Sequence, residues 1–282
     1  MKIKCACVVV FYDPTSFNIK NINNYKNIID KIYVVDNSDD DIIRIENDKK
    51  IEYIKLNENL GIAKALNIGA EHAIKDGYDY LLTMDQDSKI TEDIIEQMLD
   101  FIKINKNKIN IGLVSPYHNI RSGEDDRINN TYEEKIEVMT SGNIIDLNAY
   151  QKIGGFKDWL FIDCVDMEYG MNLNKNGYKV IRLNNVVMEH ELGKVKIHKL
   201  FGKEYPCYNH SPIRRYYMVR NTLYLKDMYY DSFKDHCDYL IRVQKGQVKR
   251  ILVFEKNKYK KLKMMYKGYK DYKKGIKGKF NN

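Results

Sequence analysis

Over its first two thirds the chain alternates short apolar runs with polar stretches of helix length. Residues 4–11 (Lys-Cys-Ala-Cys-Val-Val-Val-Phe) form a buried-strand pattern that stops at Tyr12-Asp13-Pro14, a turn signal. A helix-length polar segment then runs to residue 31. Residues 32–35 (Ile-Tyr-Val-Val) predict a second strand ending in Asp36-Asn37-Ser38, and residues 51–56 a third ending in Asn57-Glu58-Asn59-Leu60-Gly61. Ile62, Leu66, Ala70, Ala73 and Ile74 then mark one face of a helix, with Asn59 near its start and Gly77 beyond its end. Residues 80–84 (Tyr-Leu-Leu-Thr-Met) predict a strand that runs into Asp85-Gln86-Asp87. This alternation predicts an α/β fold with a parallel, doubly wound sheet and helices on both faces. In such sheets ligands gather outside the carboxyl ends of the strands, where Asp36, Asp85 and Asp87 would converge.

The pattern continues with a helical stripe of Ile94, Ile95, Met98, Leu99 and Ile102 and a strand over 111–114. A polar loop over 121–134 precedes a strand over 136–140, which enters Ser141-Gly142-Asn143. A short helix over 147–153 is closed by Gly154-Gly155, and a helix entered through residues 159–169 ends at Gly177. Two strands, 180–183 and 186–188, finish in Glu189-His190-Glu191-Leu192-Gly193.

Composition narrows the function classes. The 282 residues can bury a core, and a 44% hydrophobic share fits a globular chain. No run of 18 apolar residues predicts a membrane span, and the start of the chain lacks a cleavage-site pattern, so a signal peptide is not expected. Five scattered cysteines imply reduced thiols, as in a cytoplasm. Charge is uneven. Residues 245–282 hold fourteen Lys or Arg against Glu255 and Asp271, a net +12, so the rest of the chain carries −4 of the total +8. Apolar residues in this tail (Ile251, Leu252, Phe254, Tyr259, Leu262, Met265, Tyr266, Tyr269) recur at roughly helical spacing among lysines. Such a helix suits an anionic membrane surface or packing on the core; a nucleic-acid arm ranks last, because no recognised module accompanies it.

Candidate chemistry centres on Asp85-Gln86-Asp87. Because side chains alternate along a strand, the two acids share a face and Gln86 points away. Carboxylates that close repel unless a cation lies between them, and a hard divalent ion with substrate phosphate oxygens would serve. Alone, the tripeptide is more readily a polar strand-to-helix loop; the flanking motifs shift the balance.

The motifs taken in order resemble inverting glycosyltransferase family 2, with the GT-A fold, and within it bacterial rhamnosyltransferases. They are Val-Val-Val-Phe-Tyr-Asp-Pro (8–14), Val-Val-Asp-Asn-Ser (34–38), Asn59 to Gly69, Met-Asp-Gln-Asp (84–87), Thr-Ser-Gly (140–142) and Gly-Gly-Phe (154–156). Phe-Ile-Asp-Cys-Val-Asp-Met-Glu-Tyr (161–169), His190, and residues 210–221 (His-Ser-Pro-Ile-Arg-Arg-Tyr-Tyr-Met-Val-Arg-Asn) complete the series. The likeness covers roughly residues 2–221, implying a transferase domain over 1–221 and a helical basic extension over 222–282.

The resemblance implies transfer of a sugar, with inversion, from a nucleotide-sugar to a hydroxyl of a glycan or lipid-linked glycan, using Mn²⁺ or Mg²⁺. Inversion needs a base for the acceptor proton and a cation for the departing diphosphate. By likeness Asp36 faces the nucleobase, Asn59 and Lys64 border the donor, Asp85 lies against ribose and metal, Asp87 ligates the metal, and His190 is a second metal contact. Asp163, Asp166 and Glu168 compete for the base; Asp166 is the expected one, with Asp163 structural or touching the acceptor and Glu168 orienting a neighbour. Arg214, Arg215 and Arg220 could reach the diphosphate, because guanidinium matches phosphate oxygens, although at least one fits a solvated helix face better. Ser141 and Gly142 border the acceptor. The expected donor is dTDP-rhamnose and the expected location the cytoplasm or the inner face of the bacterial membrane. A UDP-galactofuranose or UDP-hexose donor is the rival. A sugar nucleotidyltransferase would want a glycine-rich loop after the first strand, which Phe11-Tyr12-Asp13-Pro14-Thr15 does not supply. A non-catalytic protein on a vestigial fold would have lost paired acids that are present here.

Overall fold

The computed structural model describes residues 3–40, 48–120, 127, 130–190, 195–200 and 202–281. It divides into two compact units: Met1–Phe161 with Val165–Glu191, and Ile162–Cys164 with Leu192–Asn282. The second unit thus begins before the 221/222 boundary drawn from sequence.

The first unit is built on an eight-stranded sheet of order β3-β2-β1-β4-β7-β5-β8-β6. Its strands are β1 (Cys5–Phe11), β2 (Lys31–Asp36), β3 (Ile51–Lys55), β4 (Tyr80–Asp85), β5 (Ile111–Ile120), β6 (Tyr132–Lys135), β7 (Asn143–Asp146) and β8 (Lys179–His190). β1 pairs in parallel with both β2 and β4, and β2 with β3. Every residue of β1 is buried, as a strand covered on both faces requires. Cys5, Cys7, Val9 and Phe11 join one core cluster with Ile22, Tyr25, Ile95, Met98 and Ile102. Burial pushes the Cys5 thiol up to about 12, so it stays protonated.

The helices of this unit are α1 (Ser16–Ile22), α2 (Ile62–Lys75), α3 (Glu92–Asn105), α4 (Leu147–Ile153) and α5 (Val165–Lys175). α2 packs on β1 so closely that a Cβ on Gly69 would overlap the side chain of Val8. α4 is capped by Asp146, whose side chain accepts from Ala149 N, and ends at Gly154 with φ 78°.

The sheet is mostly parallel, as expected, with β7 antiparallel between β4 and β5 and β6 antiparallel beside β8. Two expectations need correction. Residues 136–140 are not a strand; β6 lies just before them, overlapping the end of the segment read as a loop, and β7 just after. The two strands over 180–188 are one, β8, whose register against β5 shifts between Pro116 and Tyr117. Residues 121–126, 128–129 and 191–194, which carry parts of the predicted loop and the Glu-Leu-Gly end of the last motif, lie outside the described residues.

The second unit holds a hairpin of β9 (Lys196–Leu200) and β10 (Lys203–Cys207), then α6 (Pro212–Tyr229), α7 (Lys234–Phe254) and α8 (Lys258–Lys273). The tail therefore contains two helices, broken at residues 255–257, rather than one amphipathic helix. α8 crosses α6 at Gly268, where a Cβ would lie 2.5 Å from the Tyr216 carbonyl oxygen. Arg215 and Lys261, both buried, share the two oxygens of buried Glu255 at 2.6 and 2.8 Å. Lys261 also donates to Asn209 Oδ1, and Arg215 to Gln247 Oε1. The last residues return over α6: Tyr224 donates to Ile276 O, Arg220 to Gly278 O, and Phe280 N to the Tyr217 hydroxyl.

Candidate active site

In the first unit, several of the expected site side chains collect where β1, β2 and β4 end. β4 stops at Asp85, and Gln86 and Asp87 already belong to a turn. The acids are thus brought together by a turn, not by strand alternation. Gln86 fixes that turn. Its side chain accepts from Tyr12 N at 2.8 Å and donates to Tyr12 O, while its carbonyl accepts from Asn18 and Asn21, each at 3.0 Å. The Asp85 amide donates to Ser141 Oγ at 3.1 Å. Burial, and then the Asp87 charge, push the Asp85 carboxyl up to about 6. Ser88 is 5% exposed and its hydroxyl has no hydrogen-bond partner.

Two carboxylates in mutual repulsion beside an unsatisfied buried hydroxyl form a hard-oxygen donor set that suits Mg²⁺ or Mn²⁺. Among the described residues no three or more His, Cys, Asp or Glu side chains gather as a cation site. The pair fits a cation whose remaining positions are filled by substrate phosphates and water rather than by a closed protein cage. His190 ends β8, its backbone opposite Ile120; its side chain lies outside the described ones, so the expected second metal contact is not located.

Asp36, at the end of β2, is fully buried and already satisfied. One oxygen accepts from the Ser38 amide at 3.0 Å and hydroxyl at 2.6 Å; the other accepts from the Tyr53 hydroxyl and from Lys55 at 3.3 Å. Burial raises its pKa, but these bonds outweigh it and hold the carboxyl below its usual value. Both carboxylate oxygens are thus engaged, one of them by Tyr53 and Lys55. Next to it, Asn37 and Asn59 are cross-linked: Asn37 donates to Asn59 Oδ1 and accepts from Leu60 N. Asn59 also accepts from Gly61 N, so it shapes the loop before α2. Gly61 adopts φ 88°, and a Cβ there would lie 2.5 Å from the Phe161 carbonyl oxygen, which accepts from Ile62 N at 2.8 Å. Only glycine fits that approach. Lys64, in the first turn of α2, pairs with Asp158 at 3.3 Å.

Thr140, Ser141 and Gly142 lie against the end of β4. Thr83 donates to Thr140 O at 2.6 Å, and Gly142 N donates to Thr83 O at 2.8 Å. Ser141 is fully buried and Gly142 has φ 82°, with Met188 where a Cβ would stand. Their expected acceptor contact would therefore have to come from backbone, not from the serine hydroxyl. Asp166 stands in the first turn of α5, half-buried, its Oδ1 accepting from Met167 N. Glu168 is fully buried. Of the three acids, only Asp166 combines a helix N-terminus with partial exposure inside this unit.

In the second unit, Asp163 has its carboxylate held by Arg214 through Nε and Nη2. Arg214 remains partly exposed, whereas Arg215 and Arg220 are fully buried. The guanidinium of Arg220, expected at the diphosphate, bonds to Asn221 Oδ1, the Tyr216 hydroxyl and Gly278 O within the unit's core.

Residue-level reading missed two groups. Tyr53 and Lys55 alternate on β3 to meet Asp36; their shared parity was the available signal. Asn67 sits among the apolar positions of α2, accepting from the Tyr150 hydroxyl and Phe156 N and donating to Phe156 O. A polar amide on an otherwise apolar helix face was its signal.

Residues 17–156 match Glycosyl transferase family 2. The dTDP-rhamnosyl transferase RfbF of Shigella flexneri is 28% identical over 246 residues, which cover 80% of each chain. Among solved structures, S. aureus TarS 1–349 in complex with UDP-GlcNAc superposes with a TM-score of 0.61 at 15% identity, covering 97% of this chain and 82% of that one. GalNAc-T7 with UDP, GalNAc and Mn²⁺ gives 0.60 at 13% identity, covering 97% and 56%. These structural likenesses show the fold, which is that of the GT-A glycosyltransferases.

Proposed function

This chain belongs to glycosyl transferase family 2 and is a glycosyltransferase, and we propose that it moves rhamnose from dTDP-rhamnose, with inversion, onto a hydroxyl of a glycan or lipid-linked glycan. The observation that carries the metal-dependent reading is the Asp85–Asp87 pair at the end of the central strand, with the Asp85 carboxyl pushed up to about 6 by burial and its neighbour. Asp85 and Asp87, with the Ser88 hydroxyl, would hold a divalent cation. Bound there, Mn²⁺ or Mg²⁺ supplies charge neutralisation for a departing diphosphate. His190 remains a proposed further ligand.

Asp166 is the proposed base. Its carboxylate, in the first turn of α5, would take the acceptor's proton as the acceptor oxygen attacks opposite the leaving group. Asn59 and Lys64 line the donor side of the loop before α2, Gly142 offers backbone to the acceptor, and Arg214 is the one arginine of the three with exposed surface for an anionic group. Asp36 organises the nucleobase end through Tyr53 and Lys55. The dTDP-rhamnose donor is supported by the likeness to the Shigella flexneri enzyme. The UDP-GlcNAc and UDP complexes of the fold relatives make a UDP donor the outcome to test against.

No described helix is long and apolar enough to cross a membrane. α8 nevertheless turns Tyr259, Lys263, Tyr266, Lys270 and Lys273 outward, the tyrosines 78% and 62% exposed. Tyrosine among lysines on one exposed stripe suits the headgroup layer of an anionic leaflet, so we place the enzyme peripherally at the membrane that carries its acceptor. The catalytic reading is tested by Asp166→Asn, with turnover of dTDP-rhamnose measured beside dTDP affinity. Turnover should fall 100- to 10,000-fold, about what general-base catalysis contributes, with affinity retained. Normal turnover would remove Asp166 from the base role.

A further inference from the structure

The chain enters α5 through a turn of unusual backbone. Phe161 has φ 67° and ψ −64°, a γ-turn conformation that is rare and strained. Asp163 and Cys164 follow with φ 62° and 64°. Three of four residues are therefore left-handed without a glycine among them, two positions before Asp166. Side chains that disfavour this conformation persist in it only where the surroundings over-determine it.

Within the second unit, α6 supplies those surroundings. Asn221 is fully buried, and its side-chain amide donates to the carbonyl oxygens of both Ile162 and Asp163, each at 2.9 Å. Its Oδ1 accepts from Arg220 Nε at 3.0 Å, which fixes the direction of the amide. Arg220 is anchored in turn by Gly278 O at 2.6 Å. Arg214 grips the Asp163 carboxylate, and Cys164 Sγ lies 3.8 Å from Thr222 Oγ1. A pair of carbonyls aimed at one amide is a reciprocal lock.

We propose that Asn221 is a positioning residue for the transfer reaction, holding the left-handed turn 161–164 and thereby the first turn of α5. The inference rests on the reading that the start of α5 carries the base. Asn221 touches no substrate and acts through Asp163 and Ile162. Arg220 and the returning C-terminal residues act one step further back, by orienting its amide.

Asn221→Asp tests this cleanly, because the carboxylate keeps the acceptor for Arg220 and the size of the side chain but removes the donor to both carbonyls. Hydrogen exchange in the full chain should show faster exchange over 162–167. Release of dTDP from dTDP-rhamnose with water as acceptor should fall at least tenfold in kcat, with dTDP affinity unchanged. Adding Cys164→Gly, which removes the side chain that opposes φ 64°, should restore slow exchange and much of kcat relative to Cys164→Gly alone. Wild-type exchange in Asn221→Asp, or faster exchange with unchanged kcat, would overturn the proposal. So would failure of the glycine to rescue, which would mark Asn221 as core packing. Asp166→Asn is run in parallel. Its normal turnover would refute the base assignment alone, since the exchange, kcat and rescue results on Asn221 judge the turn whichever acid on α5 is the base.

Discussion

Removing the charge of Asp85 should stabilise the cation-free protein. The carboxyl is raised from 3.8 to about 6 by burial and by Asp87, and each unit corresponds to 1.36 kcal/mol. Ionised Asp85 therefore costs the native state about 3 kcal/mol near pH 7.5. The native value lies above the unfolded one, so this cost is full above pH 6 and is relieved as pH falls through 6 toward 3.8. Asp85→Asn should raise the stability of chelator-treated protein by up to about 3 kcal/mol near pH 7.5, and the gap should shrink to about 1 kcal/mol near pH 4.5. Urea titration at the two pH values measures it. Saturating Mn²⁺ at the higher pH should stabilise the wild type and not the variant, because the ion binds the native pair only. A gap that is absent, or that does not change with pH, would mean that Asp85 is not held in repulsion with Asp87, and the argument for a bridging cation would fall.

Other consequences are as direct. Burial, then Arg214 and Arg215, hold His210 down to about 4 from 6.5; stability should be lost as pH falls from 6.5 toward 4, and His210→Gln should flatten that slope in a pH series of melting curves. Glu255→Ala leaves Arg215 and Lys261 buried without their carboxylate and should cost about 3–5 kcal/mol in denaturant titration; a loss under about 1 kcal/mol would mean the cluster is open to water. Reversing Lys263, Lys270 and Lys273 to Glu should weaken sedimentation with phosphatidylglycerol vesicles at least 100-fold, at about 1 kcal/mol per lysine near the surface, and unaltered sedimentation would remove the membrane role.

Half of the sheet could be read along the chain because buried parallel strands are continuous apolar runs. β1, β2 and β4 needed nothing else, and α2, α3 and α4 announced themselves by stripe and cap. β6 (Tyr-Glu-Glu-Lys) could not be read: it is polar, lies at the sheet edge beside β8, and shows no alternation. β7 is a short strand whose place between β4 and β5 depends on long-range pairing that no local pattern encodes. β8 looked like two strands because Asn184-Asn185 interrupts the apolar run at the point where its register shifts. In the site, Asp85 and Asp87 were legible as a pair while the turn that joins them was not. The burial of Arg220 was not legible, because an arginine on an open helix face and an arginine walled in by a distant tail look the same in sequence. Residues 276–280, which bury it, carry no pattern that points back to α6.

The central claim is that this chain is a metal-dependent transferase using dTDP-rhamnose. Calorimetric titration of the full chain with dTDP, UDP and their rhamnose and hexose conjugates, with and without Mn²⁺, tests it most directly. The account predicts metal-dependent binding that is tightest for dTDP-rhamnose and lost in Asp87→Ala. Binding that prefers a UDP-sugar would contradict the donor, and binding indifferent to metal and to Asp87 would contradict the role given to the paired carboxylates.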